Sequence, residues 1–134
     1  MFDFTIHALK TSLNLRTLKH NILCSNISNE NTPGYQAKKV EFETQLRDAL
    51  HLENRLPKFG THTDHFIFTQ LDAIHPNVYE DPYGNPSLNG NTVNRTAEMA
   101  ELTENQLLYE TSLELLKKKI SLLKYAISEG ERSH

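Results

Sequence analysis

The densest group of candidate metal ligands in this sequence is His62-Thr63-Asp64-His65, with two imidazoles and one carboxylate. Such groups bind zinc and other transition metals. A protein site needs further ligands at a recognisable spacing, and no second pair accompanies this one. The sequence also lacks a Gly-rich phosphate loop, a Ser/His/Asp grouping and paired carboxylates. We therefore interpret residues 62–65 as a polar surface loop, and we predict that the protein is not an enzyme and has no catalytic, cofactor-binding or metal-binding residue.

Three further reactive side chains lie in the N-terminal part of the chain. Arg16 and His20 interrupt a stripe of apolar residues at helical spacing. Two interpretations stay open: they pair with a carboxylate across an interface, or their charged ends reach solvent at the edge of the stripe. Cys24 is the only cysteine and cannot form an internal disulfide, so its redox state is undetermined. We interpret it as a small apolar side chain on a helix face.

Length, charge and hydropathy restrict the classes of function. A chain of 134 residues forms one domain or less. A net charge of −3 argues against a phosphate-binding surface, so nucleic acid is not an expected partner. The apolar runs are too short to span a membrane, and the N-terminus lacks the basic start and apolar core of a Sec signal peptide. These observations favour a protein–protein role.

Proline and glycine divide the chain into three parts. All five prolines and four of the five glycines lie in its central part, and such residues interrupt helices. We predict an N-terminal helix within 1–32, a Pro/Gly-rich middle segment over 33–91, and a C-terminal coiled-coil helix within 92–134. The predicted fold is mainly α, with the two long helices pairing as an antiparallel hairpin. The fold of about 52–88 stays open.

Short elements are expected within the middle segment. Val40 and Phe42 alternate with charged residues, as in a brief strand. Phe42, Leu46 and Leu50 then recur at a spacing of four, which predicts a short helix. Residues 66–68, Phe-Ile-Phe, are typical of a short buried strand.

The C-terminal arm has the clearest periodicity. Its apolar residues alternate between spacings of three and four, which is the pattern of a coiled-coil seam with one polar member. The seam positions are Met99, Leu102, Gln106, Tyr109, Leu113, Leu116, Ile120, Leu123 and Ile127. The predicted helix runs from about 94 to 128, with Asn94 as its N-cap. Glutamates in its first half and lysines in its second complement the helix dipole.

Both arms also have a second apolar stripe. In the C-terminal arm it contains Leu108, Leu115, Leu122 and Ala126. In the N-terminal arm one side contains Phe2, Ile6, Leu9, Leu13, Cys24 and Ile27, and the opposite side contains Leu15, Leu18 and Ile22. A two-helix hairpin buries one stripe of each helix and exposes the other to water.

The middle segment has few long apolar elements, so we expect other copies of the chain to cover the exposed stripes. Self-assembly is therefore the interpretation that the sequence favours. The predicted helix-pairing and assembly positions are Ile6, Leu9, Leu13, Leu18, Ile22, Met99, Leu102, Tyr109, Leu113, Leu115, Leu116, Ile120, Leu122, Leu123 and Ile127.

Residues 26–35, Asn-Ile-Ser-Asn-Glu-Asn-Thr-Pro-Gly-Tyr, predict a helix end followed by a rigid turn. Pro33 sets φ near −65° and Gly34 supplies the positive φ that a type II turn requires. Asn29 or Asn31 is expected to end the helix in the left-handed conformation. The predicted turn residues are Asn26, Asn29, Thr32, Pro33, Gly34 and Tyr35.

This string resembles the N-terminal signature of flagellar axial proteins (rod, hook and hook-associated subunits), Asn-Ile-Ala/Ser-Asn-x-x-Thr-Pro-Gly-Tyr/Phe, at all eight specified positions. Residues 89–93 read Asn-Gly-Asn-Thr-Val, 98–99 read Glu-Met, and 105–109 read Asn-Gln-Leu-Leu-Tyr. This pattern is similar to the proximal-rod members of that family. Residues 34–42 also resemble that group, with Lys39 in place of its usual acidic residue. FlgC, a sister rod protein, tends to carry an insertion at the Thr-Pro-Gly turn that is absent here.

The resemblance implies a structural subunit of the bacterial flagellar basal-body rod, a periplasmic structure that works as drive shaft and export-channel wall. It implies helical self-assembly, with the paired terminal helices forming the inner wall. Expected partners are further copies of the chain, the rod proteins FlgC and FlgF, the FliE adaptor and export-gate proteins. The expected route is the flagellar type III apparatus. The alternatives are FlgC or another short axial protein, and a small type III secreted helical adaptor or chaperone.

Overall fold

The computed structural model describes residues 2–55, 71–82, 84 and 86–132. The elements, in chain order, are α1 (Phe2–Ser28), β1 (Lys38–Glu41), α2 (Glu43–Arg55), β2 (Asn77–Glu80) and α3 (Arg95–Arg132). The prediction of a mainly α fold with long terminal helices and short elements between them is confirmed.

Helices α1 and α3 pack against each other in antiparallel orientation. The hydroxyls of Ser12 and Ser112 lie 3.5 Å apart, and Asn26 reaches Glu98 at the other end of the pair. With 27 and 38 residues, the helices are about 40 and 57 Å long at 1.5 Å per residue. Extending this register places Phe2 level with Leu122. The last turns of α3 therefore extend past the start of α1.

Asn94 caps the start of α3, as predicted. Its Oδ1 accepts a hydrogen bond from the backbone N–H of Ala97 at 3.2 Å, which satisfies one of the free donors of the first turn. Glu98 in the first turn and Arg132 in the last complement the helix dipole.

Strands β1 and β2 form a two-stranded antiparallel sheet in which Lys38 pairs with Glu80 and Val40 with Val78. The sequence predicted β1 but not β2, because β2 has only four residues and its pattern carries little signal. Pairing with β1 defines it. Across the sheet the Tyr79 hydroxyl donates to Glu41 at 2.7 Å, and this hydrogen bond, with a smaller effect of burial, raises the pKa of Tyr79 to about 12.

The apolar core lies between α1 and the middle segment. One cluster contains Phe4, Ala8, Leu46, Ala49 and Leu71, with Ile74 against it. The other contains Leu15, Val40 and Phe42, with Leu18, Ile22 and Ile74 against it. The expectation that only other copies cover the second stripe of α1 is therefore wrong for Leu15, Leu18 and Ile22. A short strand, one phenylalanine and part of α2 are enough to cover it.

Two predictions fall on residues outside the described part of the chain. They are the polar loop at 62–65 and the buried strand at 66–68. None of the helices that the structure describes combines the length and the apolar character needed to cross a lipid bilayer.

Candidate functional site

The turn that follows α1 has the predicted type II geometry. The backbone N–H of Tyr35 donates to the carbonyl of Thr32 at 3.2 Å, closing the four-residue turn. Gly34 has a φ of 74°, which β-carbon-bearing residues rarely adopt. The predicted left-handed Asn29 or Asn31 is wrong, because every described non-glycine residue has negative φ.

A second turn, residues 87–90, packs against the first. Its closing hydrogen bond runs from the N–H of Gly90 to the carbonyl of Ser87 at 2.8 Å, and Gly90 has a φ of 78°. The Gly34 N–H donates to the Asn89 carbonyl at 2.9 Å. A β-carbon on Gly90 would lie 3.5 Å from the α-carbon of Gly34. The glycines thus allow the two backbones to approach closely.

The side chain of Asn91 ties the second turn to the end of α1. Its Nδ2 donates to the carbonyls of Asn29 and Thr32 at 2.8 and 2.7 Å. Next to it, the Thr92 hydroxyl accepts a hydrogen bond from the N–H of Ala37 at 2.8 Å. The two strings that carried the family resemblance, 26–35 and 89–93, therefore form one junction.

Asn26 lies at the centre of this junction and is 0% exposed. Its Nδ2 donates to the Lys38 carbonyl at 2.8 Å and to Glu98 Oε2 at 2.9 Å. Its Oδ1 accepts from the Lys38 N–H at 3.0 Å and from the Tyr35 hydroxyl at 3.1 Å. A side-chain amide has two donor and two acceptor sites, so every one is used. The amide joins α1, β1, α3 and the turn.

Glu98 and Lys39 extend the junction towards solvent. Lys39 Nζ lies 2.7 Å from Glu101 Oε1 and 3.9 Å from Glu98 Oε1. Burial alone would lower the pKa of Lys39, but the nearby carboxylates of Glu101, Glu98 and Asp81 raise it overall above its ordinary value. Glu98 is buried, and its charge is compensated by Asn26 and Lys39.

A second polar contact connects the middles of α1 and α3. Asn105 Nδ2 donates to the Arg16 carbonyl at 2.9 Å. The Arg16 guanidinium donates from Nη1 to Glu43 at 3.1 Å and to Asn105 at 3.4 Å. It also lies over the Phe42 ring, 5.2 Å from its centre. Arg16 is therefore buried and paired within its own chain, which fits neither interpretation drawn from the sequence. His20 Nε2 instead lies 3.5 Å from Cys24 Sγ.

The predicted assembly positions fall into two groups. Ten are half-buried: Ile6, Leu9, Leu13, Leu18, Ile22, Leu102, Tyr109, Leu113, Leu116 and Leu123. Five on α3 are exposed: Met99, Leu115, Ile120, Leu122 and Ile127. The fully buried positions of α3 are polar, Glu98 and Asn105, and each directly precedes a predicted seam residue.

Sequence reasoning missed this polar seam. Glu98, Asn105 and Ser112 are separated by seven residues, and each bonds to α1. A search for polar as well as apolar heptads would have found it. The Arg16–Glu43 pair had no such signal, because nothing in the sequence relates a helix position to the first residue of α2.

The polar groups of the junction and seam hold the backbone in place. Among the described residues there is no group of three or more His, Cys, Asp or Glu side chains arranged to hold a metal ion. The chemistry of the arrangement is structural: it fixes how α1, α3 and the middle segment meet. The exposed apolar residues of α3 are the remaining feature that a function has to explain.

Known proteins with similar sequences agree on one identity, although no protein-family model matches the chain. It is 40% identical over 126 residues to the flagellar basal body rod protein FlgB of Cereibacter sphaeroides, covering 94% of this chain and 93% of the relative. It is 36% identical to FlgB of Aeromonas hydrophila, with coverages of 98% and 97%, and 32% identical to FlgB of Bacillus subtilis, with coverages of 98% and 98%. Identity at this level over nearly the full length of both partners shows that the chain belongs to the FlgB family of flagellar basal body rod proteins.

Proposed function

We propose that this protein is a structural subunit of the proximal part of the flagellar rod, where it self-assembles helically and contributes to the drive shaft and the wall of the export channel. Its membership of the FlgB family supports the rod assignment. The proximal position and the helical assembly are inferences from the resemblance and from the surface of α3.

The observation that carries the proposal is the exposed apolar surface of α3. Seven of the ten large exposed hydrophobic residues belong to this helix: Met99, Leu107, Leu115, Ile120, Leu122, Tyr125 and Ile127. Exposed apolar area costs about 25 cal/mol per Å² relative to burial. A contiguous surface of this kind marks a protein–protein contact.

The geometry of the helix pair favours other copies as the partners. The last turns of α3, from about 123 to 132, extend past Phe2 and have no partner helix at that level. A neighbouring subunit placed end to end continues the pair there. Such a contact joins different surfaces of two identical chains, so it repeats without closing and builds a helical assembly.

One face of α3 has the polarity expected of a channel wall. Glu110, Glu114, Lys117, Ser121 and Ser128 are all exposed and lie on the side of the helix opposite the polar seam. A polar wall does not hold unfolded export substrates through apolar contacts. We assign this face to the channel.

The proposed partners follow from the position in the rod. They are further copies of the chain, FlgC and FlgF on one side, and the FliE adaptor with export-gate proteins on the other. The proposed location is the periplasmic rod, reached through the flagellar type III apparatus.

The test compares two single substitutions on α3. Leu122→Asp places a carboxylate in the apolar surface, whereas Lys118→Asp changes an exposed residue outside it. Basal bodies are purified from flagellated cells expressing each variant, and the subunit is quantified by immunoblot. We expect Leu122→Asp to be lost from basal bodies and Lys118→Asp to be retained.

Circular dichroism of both purified variants controls for folding. Equal incorporation of both variants contradicts a role of this surface in the rod. A wild-type chain that is absent from basal bodies but binds one soluble partner at 1:1 stoichiometry supports the alternative of a secreted adaptor or chaperone.

A further inference from the structure

Leu88 is a leucine with no cover at all. It is 111% exposed and lies at the tip of the 87–90 turn. Other exposed leucines of this protein lie along helices, where a neighbouring helix can cover several of them together. Leu88 is a single apolar side chain on a turn, so it needs a separate explanation.

The turn holds Leu88 in a fixed position. The Gly90 N–H donates to the Ser87 carbonyl, the Ser87 N–H donates to the Asn91 carbonyl, both at 2.8 Å, and the Gly34 N–H anchors Asn89 at 2.9 Å. Asn91 in turn is tied to the end of α1. Because the junction restrains both sides of the turn, Leu88 projects as a rigid knob, and burying it elsewhere costs little conformational entropy.

A cleft of matching chemistry lies at the other end of α1. It has a volume of about 250 Å³ and runs between α1 and α2, lined mainly by Phe4, Ala8, Leu9, Leu46 and Leu50. A cavity of about 150 Å³ with such a lining holds a benzene molecule, so this cleft has room for the branched side chain of a leucine. We name it the α1–α2 cleft.

Knob and cleft do not meet within one chain. Leu88 lies beside the C-terminal end of α1, whereas Phe4 and Ala8 lie near its start. About twenty residues of helix separate them, which is about 30 Å at 1.5 Å per residue. A second copy displaced along the α1 axis by a similar distance would bring its own Leu88 to the cleft of the first.

We propose that Leu88 of one subunit inserts into the α1–α2 cleft of the next subunit, as a contact additional to the α3 surface. The occupant is a second copy because this heterologous contact repeats in the open manner that a rod requires. Neither surface favours a charged partner, since residues 86–91 have no charged side chain and the cleft lining is uncharged. The inference rests on the proposed self-assembly.

Disulfide crosslinking in purified basal bodies tests the contact. All variants carry Cys24→Ser, and the test pair is Leu88→Cys with Leu50→Cys. The control pair is Leu88→Cys with Asp48→Cys, because Asp48 is exposed on the same helix but outside the cleft lining. We expect a ladder of dimers and higher oligomers from the test pair on mild oxidation, and at least a tenfold weaker ladder from the control pair.

Three results overturn the proposal. Equal ladders from both pairs mean that Leu88 has no preferred seat at the cleft. Dimers from Leu88→Cys alone, at a yield that Leu50→Cys does not increase, mean that two knobs meet each other. A photocrosslinker at Leu88 that attaches only to a different rod protein means that the occupant is not a second copy.

A variant pair separates this contact from folding. Leu88→Asp is expected to leave the thermal unfolding midpoint unchanged, because the side chain touches nothing in its own chain. It should weaken subunit association by about 10- to 100-fold, the effect of exposing one leucine, while Leu88→Met retains association. Incorporation of Leu88→Asp at wild-type levels contradicts the proposal. If the wild-type chain itself is absent from basal bodies, the proposed function fails instead.

Discussion

The two long helices bury different kinds of side chain. Helix α1 buries apolar residues such as Phe4, Leu15 and Leu23 within its own chain, mainly against the middle segment. Among its described residues, α3 buries Glu98 and Asn105 and exposes most of its large apolar residues. A hairpin with a symmetric apolar seam would have shown the same pattern on both helices.

This difference separates folding from assembly. Apolar contacts are non-directional, so a purely apolar seam tolerates several registers, whereas a buried amide or carboxylate fits only where its partners lie. The amides of Asn26 and Asn105 thus fix the register of α3 against α1. The apolar stripes of α3 then remain available for neighbouring subunits.

The largest expected effect is on the buried amide at the junction. Asn26→Leu is similar in size but leaves Glu98 with a buried charge that has lost its donor, and leaves the Lys38 peptide without partners. We expect the free energy of unfolding to fall by about 3–5 kcal/mol. Urea titration followed by circular dichroism measures it.

Asn31→Leu is the matched control for that change, because Asn31 is exposed in the same segment. It should alter the free energy of unfolding by no more than about 0.5 kcal/mol. Similar losses for both variants would contradict the central role of Asn26.

The second prediction compares two adjacent leucines of α3. Leu116 is half-buried on the side facing α1, whereas Leu115 is 49% exposed. Leu116→Asp should lower the free energy of unfolding by about 2 kcal/mol or more, because it forces a carboxylate against an apolar contact. Leu115→Asp should change it by less than about 0.5 kcal/mol but still abolish incorporation into basal bodies.

Crosslinking between cysteines introduced on α1 and α3, in a Cys24→Ser background, reports whether the helix pair forms in each variant. Loss of the intrachain crosslink in Leu115→Asp as well as Leu116→Asp would show that one surface serves both folding and assembly. The distinction between the two helices would then be wrong.

Much of the fold could be predicted from the sequence because local signals agreed. Pro and Gly marked the boundaries of the arms, Asn94 marked the helix start, and Thr32-Pro33-Gly34 specified its turn through backbone geometry alone. The two-helix hairpin followed from amphipathic periodicity. Each of these depends on residues close together in the chain.

The rest depended on contacts between distant residues. β2 exists because β1 pairs with it, and the four hydrogen bonds of Asn26 reach residues in three other elements. The apolar seam was displaced by one residue because the pattern counted only hydrophobic side chains, whereas Glu98 and Asn105 occupy the buried positions. Polar residues become good seam residues only when their partners are known.

The third prediction concerns the turn at the junction. Gly34 has positive φ, and a β-carbon there would meet nothing within 4 Å. Gly34→Ala therefore introduces backbone strain without a clash, and we expect a loss of about 1–2 kcal/mol. Gly130→Ala, in the last turns of α3 and also without a close contact, should instead be neutral or slightly stabilising. Thermal unfolding of both variants tests this, and a loss in neither would show that the turn tolerates another geometry.

The smallest expected effect is a pH dependence at the Arg16 contact. Burial alone would raise the pKa of Glu43, but Lys19 and Arg16 lower it overall from its ordinary value of 4.5. A lowered pKa in the folded state stabilises the fold above pH 4.5, and that contribution is lost as the pH falls through the folded-state pKa.

The Glu43 side chain is 57% exposed, so its contribution at pH 7 is no more than about 1 kcal/mol. We expect Glu43→Gln to be less stable than wild type at pH 7 by that amount, and the difference to shrink at pH 3, where the wild-type carboxylate is increasingly protonated. Glu104→Gln, at an exposed position of α3, controls for the general effect of removing one charge. A Glu43→Gln difference that stays constant between pH 7 and pH 3 would show that the side chain acts through packing, so that the Arg16 contact joins α1 to α2 by shape and not by charge.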